Sequence, residues 1–280
     1  MSEMAEFWAF YKEELRPILE EFEVYRKSIV SKIKSAGIFI GAGTILLGVV
    51  LMSFGLALET LLFPAVLGIV AFGFAWRYLT KDYVSEFKNV AIHKIIRFVD
   101  PNLRYDPKRH ISLSTFRSGK IFQHRIDRFR GEDYVAGKIG KTDVEFSEVH
   151  AEYKTRTTDS KGRSRTEWHT IFKGLYFTAD FNKHFQGTTL VLPDRAERLL
   201  GFLGKKLQSL NFRRDQLIQM EDPEFEKLFV VYGTDQIEAR YILSPSLMRR
   251  ITEFKKKTGL PLYLSLIHIS EPTRPLYISY

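Results

Sequence analysis

Glu148, His150 and Glu152 alternate along one stretch of the chain, and Trp168-His169 follows beyond a polar turn. Alternate residues of a strand share a face, so an extended conformation points the first three the same way. A hairpin centred on Ser160 and Lys161 then sets Glu152 opposite His169 and gathers two imidazoles and two carboxylates. Such a group suits a divalent metal or a general acid–base pair. A one-residue slip in the pairing sends His169 to the other face and leaves a solvated hairpin with one satisfied histidine. His150, His169, Glu148 and Glu152 are therefore the candidate catalytic and metal-ligating residues of an enzymatic alternative, set against a non-enzymatic reading.

Two further stretches carry chemistry-bearing residue types. Gly137-Lys138-Ile139-Gly140-Lys141-Thr142 ends like a phosphate-binding loop, but Val135 stands where the first glycine is required. No parallel strand leads into it, so a strand-end turn is the better reading. Arg104, Lys108, Arg109, Arg117, Lys120, Arg125, Arg128 and Arg130 are interleaved with Phe116, Phe122 and Phe129, a composition that can suit nucleic acid. In a chain anchored in a bilayer the same cations suit the anionic inner leaflet better, at about 1 kcal/mol each. A plain solvated surface is the ordinary reading of any charge run. The net charge of +9 admits both anionic partners. With Cys 0, disulfides, thiolate chemistry and zinc–thiolate sites are excluded. No Ser-His-Asp arrangement, nucleophile elbow or dinucleotide fingerprint is visible, and no cofactor is evident.

The elements that must position these groups begin with an apolar run. Ala36 to Leu58 has no charged residue, and Leu61 to Trp76 follows after Glu59-Thr60. The first is long enough to cross a hydrocarbon core of about 30 Å at about 1.5 Å per residue. The second is slightly short, which flanking residues and bilayer thinning accommodate. Overall composition, at 45% hydrophobic and 27% charged, hides this run because the polar remainder dilutes it. Arg16, Arg26, Lys27, Lys32 and Lys34 precede the first span, Arg77, Lys81, Lys88 and Lys94 follow the second, and the turn has no cation. The positive-inside rule then predicts a multi-pass inner-membrane hairpin with both termini in the cytoplasm. Gly37 and Gly41 form a small-xxx-small pair, with Gly48, Gly55, Gly68 and Gly73 further along. Glycine is common in membrane helices, so composition is favoured over a built interface. Before the spans, Leu15, Ile18, Phe22, Tyr25 and Ile29 mark one helical face, available to a dimeric stem, to the chain's own domain or to the membrane surface.

After the spans a helical pattern from Tyr83 to Phe98 stops at Asp100-Pro101-Asn102. From Tyr134 to Phe181 the chain reads as strands, with a parity change between Phe146 and Val149 that predicts a bulge and a turn at Thr158 to Gly162. Asp194 and Glu197 make a capping box for a helix striped by Leu199, Leu200, Leu203, Leu207 and Leu210. Phe225 to Tyr232 reads as a strand, and a last helix opens at Ser244-Pro245 and closes at Gly259. The predicted class is α+β, an N-terminal helix and two-helix transmembrane hairpin followed by a mainly antiparallel sheet with packed helices.

Several motifs in order then carry a resemblance: Arg128 to Asp133 (RFRGED), Gly137 to Thr142 (GKIGKT), Phe146 to Tyr153 (FSEVHAEY), Trp168 to Gly174 (WHTIFKG) and Tyr232 to Ser246 (YGTDQIEARYILSPS). Together the chain, from its N-terminal helix to about Tyr263, resembles the prokaryotic domain of unknown function 3137 family. That resemblance implies a membrane hairpin followed by a cytoplasmic domain, and it transfers no activity and no catalytic residue. Leu264 to Arg274 (LSLIHISEPTR) resembles the in-frame translation of a sequencing adapter, with Pro275 to Tyr280 as read-through. The expected organisation is an amphipathic helical region at 1–35, a hairpin at 36–78 (36–58 and 61–76), a truncated cytoplasmic domain at 79–263 and a non-native tail at 264–280. Truncation predicts an unpaired strand near Leu260 to Tyr263. The functional expectation is a membrane-tethered module that binds a protein partner or the anionic bilayer surface, with self-association open and nucleic acid less favoured.

Overall fold

The computed structural model describes residues 3–55, 58–122, 124–158, 162, 164–180, 186–193 and 217–267. The chain divides into two compact units, residues 1–109 with 132–145, and residues 110–131 with 146–280. The expected capping box at Asp194 and Glu197, its leucine stripe and the tail beyond Ile267 lie outside the described residues, as does most of the turn between Thr158 and Gly162.

Helices dominate the first unit. α1 (Glu3–Phe10) runs through a π-helical turn (Tyr11–Leu15) into α2 (Arg16–Ser53). Pro17 has no N–H to give to this continuous helix, and it falls just after the π-helical turn, where the Arg16 N–H bonds the Tyr11 carbonyl and the ladder is already re-spaced. A 3-10 turn (Leu58–Leu61) leads to α3 (Leu62–Phe87), a second π-helical turn (Lys88–Ile92) and α4 (His93–Val99). Asp100 stops the run in an extended conformation, and its carboxylate accepts the Asn102 N–H at 2.8 Å. Two helices, Met4–Ser53 and Leu62–Val99, are long and apolar enough to cross a membrane.

The N-terminal stripe finds its partner on the returning helix. Phe22 meets Tyr83 and Phe87 with ring centroids 5.8 and 5.3 Å apart, Tyr25 meets Tyr83 at 5.6 Å, and Phe10 stacks on Phe98 at 4.2 Å. Glu14 pairs with Lys94 at 3.0 Å. Along the apolar stretch the seam is made of small residues. A Cβ placed on Gly68 would lie 2.5 Å from Thr44 Oγ1, one on Gly48 3.2 Å from Leu61, and one on Gly37 3.3 Å from Phe72. Gly41 and Gly73 meet nothing within 4 Å. The glycines thus divide: Gly37, Gly48 and Gly68 permit close approach of the helices, a built interface that composition did not separate from the rest.

β1 (Arg104–Asp106), β2 (Arg128–Ile139), β3 (Thr142–Thr158) and β4 (Ser164–Ala179) form a sheet in that order, with β2 and β3 passing through both units. β1 pairs antiparallel with β2, Tyr105 opposite Val135. Gly140, at φ +61°, allows the tight reversal from β2 to β3, so the phosphate-loop-like residues form a hairpin turn.

In the second unit α5 (Leu113–Ser118) is capped by Ser112, whose hydroxyl accepts the Thr115 N–H. It carries Phe116, which is 1% exposed and packed among Phe122, Phe129, Phe172 and Tyr176 at 4.9 to 5.7 Å. A second sheet of order β6-β7-β5-β8 contains β5 (Thr188–Pro193), β6 (Leu217–Ile218), β7 (Phe229–Gly233) and β8 (Leu264–Ile267). Its pairings are antiparallel, with Val191 opposite both Val231 and Leu264. The core beside it contains Val191, Phe225, Phe229, Val231, Leu243, Met248 and Ile251. The expected strand from Phe225 begins only at Phe229, because Asp222 caps a helical turn, α6 (Pro223–Glu226), with Pro223 in its first turn. α7 (Gln236–Ile242) is capped by Asp235, and α8 (Pro245–Thr258) ends at Gly259 in the left-handed region at φ +69°. The strand expected to be unpaired near Leu260 to Tyr263 is irregular backbone, and Leu264–Ile267 pairs along β5.

Candidate functional site

Burial follows alternation along the middle of β3. Ser147, Val149 and Ala151 are buried, and the Ser147 hydroxyl accepts the Ile111 N–H at 3.0 Å. Val144 is also buried, so the parity of burial changes between Val144 and Ser147, earlier than the Phe146 to Val149 spacing predicts. Glu148, His150 and Glu152 fall on the opposite face.

Glu152 is 8% exposed although it carries a charge. Two guanidinium groups from β2 account for that: Arg130 lies 2.8 Å from its Oε2 and Arg128 3.4 Å. Arg128 also stands over the Trp168 ring at 3.7 Å, so one guanidinium is held between a carboxylate and an indole. The Glu152 carbonyl accepts the Asp127 N–H at 2.9 Å, and the Asp127 carboxylate accepts the Lys154 N–H at 3.0 Å and pairs with Arg125 at 3.2 Å. His150 Nε2 sits 3.2 Å from Thr170 Oγ1 and 3.7 Å from Glu152 Oε1.

His169 lies elsewhere. Its Nε2 is 2.8 Å from Thr155 Oγ1, and its ring stacks on Tyr153 at 4.9 Å, while His124 stacks on Tyr153 at 5.0 Å. Since Thr170 faces His150, its neighbour His169 must face the other side of the sheet. The expected pairing of Glu152 with His169 is therefore corrected: the contacts are those that a one-residue slip produces. The structure joins His150 and Glu152, separates His169 from both, and leaves Glu148 exposed on β3. Chemically, His150 shares a hydrogen bond with the Thr170 hydroxyl, whereas the Glu152 carboxylate already serves two arginines.

The basic segment is also divided. Arg125, Arg128 and Arg130 make the pairs just described, and Arg109 stands over the Tyr134 ring at 4.9 Å. Arg104, Lys108, Arg117 and Lys120 are exposed. Phe116, Phe122 and Phe129 pack together rather than forming a platform for bases. A stacking surface needs open rings, so the interleaved aromatics belong to the core.

A network that was not among the candidate site residues lies in the first unit. Asp133 adopts φ +59° within β2 and accepts hydrogen bonds from the Tyr105 hydroxyl at 2.5 Å and from Lys88 Nζ at 2.8 Å, while Lys88 also reaches Glu132 at 2.7 Å. Burial works against the Lys88 charge, but its bonds to Asp133 and Glu132 prevail and raise its pKa. Burial, then the bond to Asp133, pushes the Tyr105 phenol well above its ordinary range. Burial, then the Glu145 carboxylate at 2.7 Å, pushes Tyr134 up to about 12. A positive φ at a residue other than glycine is the only signal here, and it is conformational.

No curated protein and no solved structure matches the chain. The family match begins within β4 and so leaves out the apolar helices and the motifs before Thr170, a shorter reach than the resemblance read from the sequence. Residues 170–271 match the model of a family described as protein of unknown function DUF3137, and in that segment the chain is similar to it.

Proposed function

We propose that the chain is a membrane-tethered module: α2 and α3 cross the inner membrane as a hairpin with both ends in the cytoplasm, and the rest is a cytoplasmic α+β domain held at that surface. One observation carries the reading. The two long helices pack on each other through glycines, yet only 6% of the most apolar window of each is buried. Phe39, Phe63, Ile69 and Phe74 are 69 to 78% exposed. In water such a surface is unfavourable by about 25 cal/mol per Å², whereas lipid covers it. The core helix of a soluble protein would be mostly covered by its own chain. Charge supports the orientation, since Lys27, Lys34, Arg77 and Lys81 flank the open end of the hairpin and Glu59 lies at its closed end.

The chain has no native cysteine, so a single introduced thiol reports its own side of the bilayer. In spheroplasts a membrane-impermeant maleimide should label Glu59→Cys and spare Lys12→Cys until the membrane is opened. Labelling of both, or release of the protein by alkaline washing, would overturn the tether.

A further inference from the structure

The last helix places its cations in an unusual pattern. α8 buries Met248, Ile251 and Thr252, packs Leu247 against the same core and turns its other face outward. Among the outward residues Arg250, Phe254 and Lys257 follow at spacings of four and three, which stacks them on one face with Ser246 a turn earlier. Phe254 is 53% exposed between the two cations, and Leu260, just past the left-handed Gly259, is 64% exposed. Two neighbouring lysines are already engaged: Lys256 pairs with Glu224, and Lys255 donates to the carbonyls of Gly259 and Leu260. Arg249, Arg250 and Lys257 are exposed.

A solvated helix needs no exposed phenylalanine among its cations. A helix that lies on an anionic bilayer does, because the cations meet lipid headgroups while the ring enters the acyl boundary. We infer that α8 is a second membrane contact, docking on anionic phospholipid through Arg250, Phe254 and Lys257. The inference rests on the tether reading, which supplies the reason that so small a surface suffices. A hairpin fixed in the bilayer makes docking an intramolecular event at high effective concentration, so the helix need not bind lipid strongly by itself. The occupant is an anionic bilayer because it is the one surface of opposite charge that a tether keeps always at hand.

The test uses the full chain with Ser246→Cys bearing an environment-sensitive fluorophore, reconstituted into vesicles of phosphatidylcholine alone or with about a third phosphatidylserine, a strongly anionic surface. A spin label on the lipid headgroups should quench the fluorophore in the anionic vesicles only, and high salt should reverse this. Arg250→Gln with Lys257→Gln should lower the ratio of docked to free protein about 25-fold, at about fivefold per cation. Phe254→Ser should reduce docking with the charges intact. Unchanged thermal unfolding of these surface variants would exclude misfolding as the cause. Equal quenching in both vesicles, or none in either, would overturn the inference, as would a signal in neutral vesicles that grows with protein density, which assigns the face to a second copy of the chain. Flotation after an alkaline wash separates the two readings: protein that floats without quenching overturns the α8 contact alone, and protein that no longer floats overturns the tether as well.

Discussion

The apolar hairpin and the aromatic core around Phe116 use the same side chains in opposite places. Phe39 and Phe74 on the hairpin are 78 and 72% exposed, whereas Phe116 and Phe225 in the second unit are 1 and 0% exposed. Small residues reverse as well, with Gly37, Gly48 and Gly68 at the helix seam where a water-soluble bundle would set leucines. A large apolar group faces inward when water is the alternative and outward when hydrocarbon is. On the tether reading proposed above, the two regions differ in which solvent each sequence is built to meet.

Core truncation gives the widest test of that contrast. Phe116→Ala should destabilise the second unit by about 3 to 5 kcal/mol, since four other rings lose their partner, while Phe39→Ala should change unfolding in detergent by less than about 0.5 kcal/mol. Similar losses in chemical denaturation would break the comparison. Next in size, Gly68→Leu forces a side chain into Thr44 and should cost about 1 to 3 kcal/mol of helix pairing. Cross-linking between thiols introduced on α2 and α3 measures it, and Gly73→Leu, where nothing lies within 4 Å, should leave the cross-link intact.

Charge offers a smaller contrast within the second unit. Glu152→Gln leaves two guanidiniums without their carboxylate and should cost about 1 to 2 kcal/mol, less than a fully buried pair because Arg128 and Arg130 are 39 and 58% exposed. His169→Ala removes only a ring stack and one hydrogen bond, for about 1 kcal/mol. Thermal unfolding of the two variants ranks them, and a reversed order would move the weight of this sheet to its other face.

The smallest effect is expected in alkali. Lys88, Tyr105 and Tyr134 all hold their protons more tightly in the fold than at their ordinary values of 10.5, 10.0 and 10.0. Their contribution is fully present below pH 10 and is lost as pH rises through the raised folded values, because the unfolded chain gives up those protons first. All three belong to the unit that carries the hairpin. Unfolding followed between pH 9 and pH 12 should therefore show that unit weakening, and Tyr105→Phe should flatten the slope.

Helices were legible wherever a period or a cap was local. The uncharged run from Ala36, the stop at Asp100 and the αL close at Gly259 each follow from a few neighbouring residues. Strands were legible less evenly. Thr188–Pro193 is buried along nearly its whole length, so it shows no alternation, and β2 carries Arg128, Arg130, Glu132 and Asp133 in a pattern that reads as a charge run. The start of the strand at Phe229 was obscured by a helical turn that Asp222-Pro223 sets up.

By itself the sequence determined that an apolar pair of helices leads into an α+β chain, because hydrophobic length, charge and capping act over a few residues. Which groups meet was decided only by tertiary structure. The partner of the Phe22 stripe, the three glycines of the helix seam and the two arginines on Glu152 depend on residues far apart in the chain. So does the face of His169, since a strand's side chains reverse with a single residue of register and no local signal sets that register.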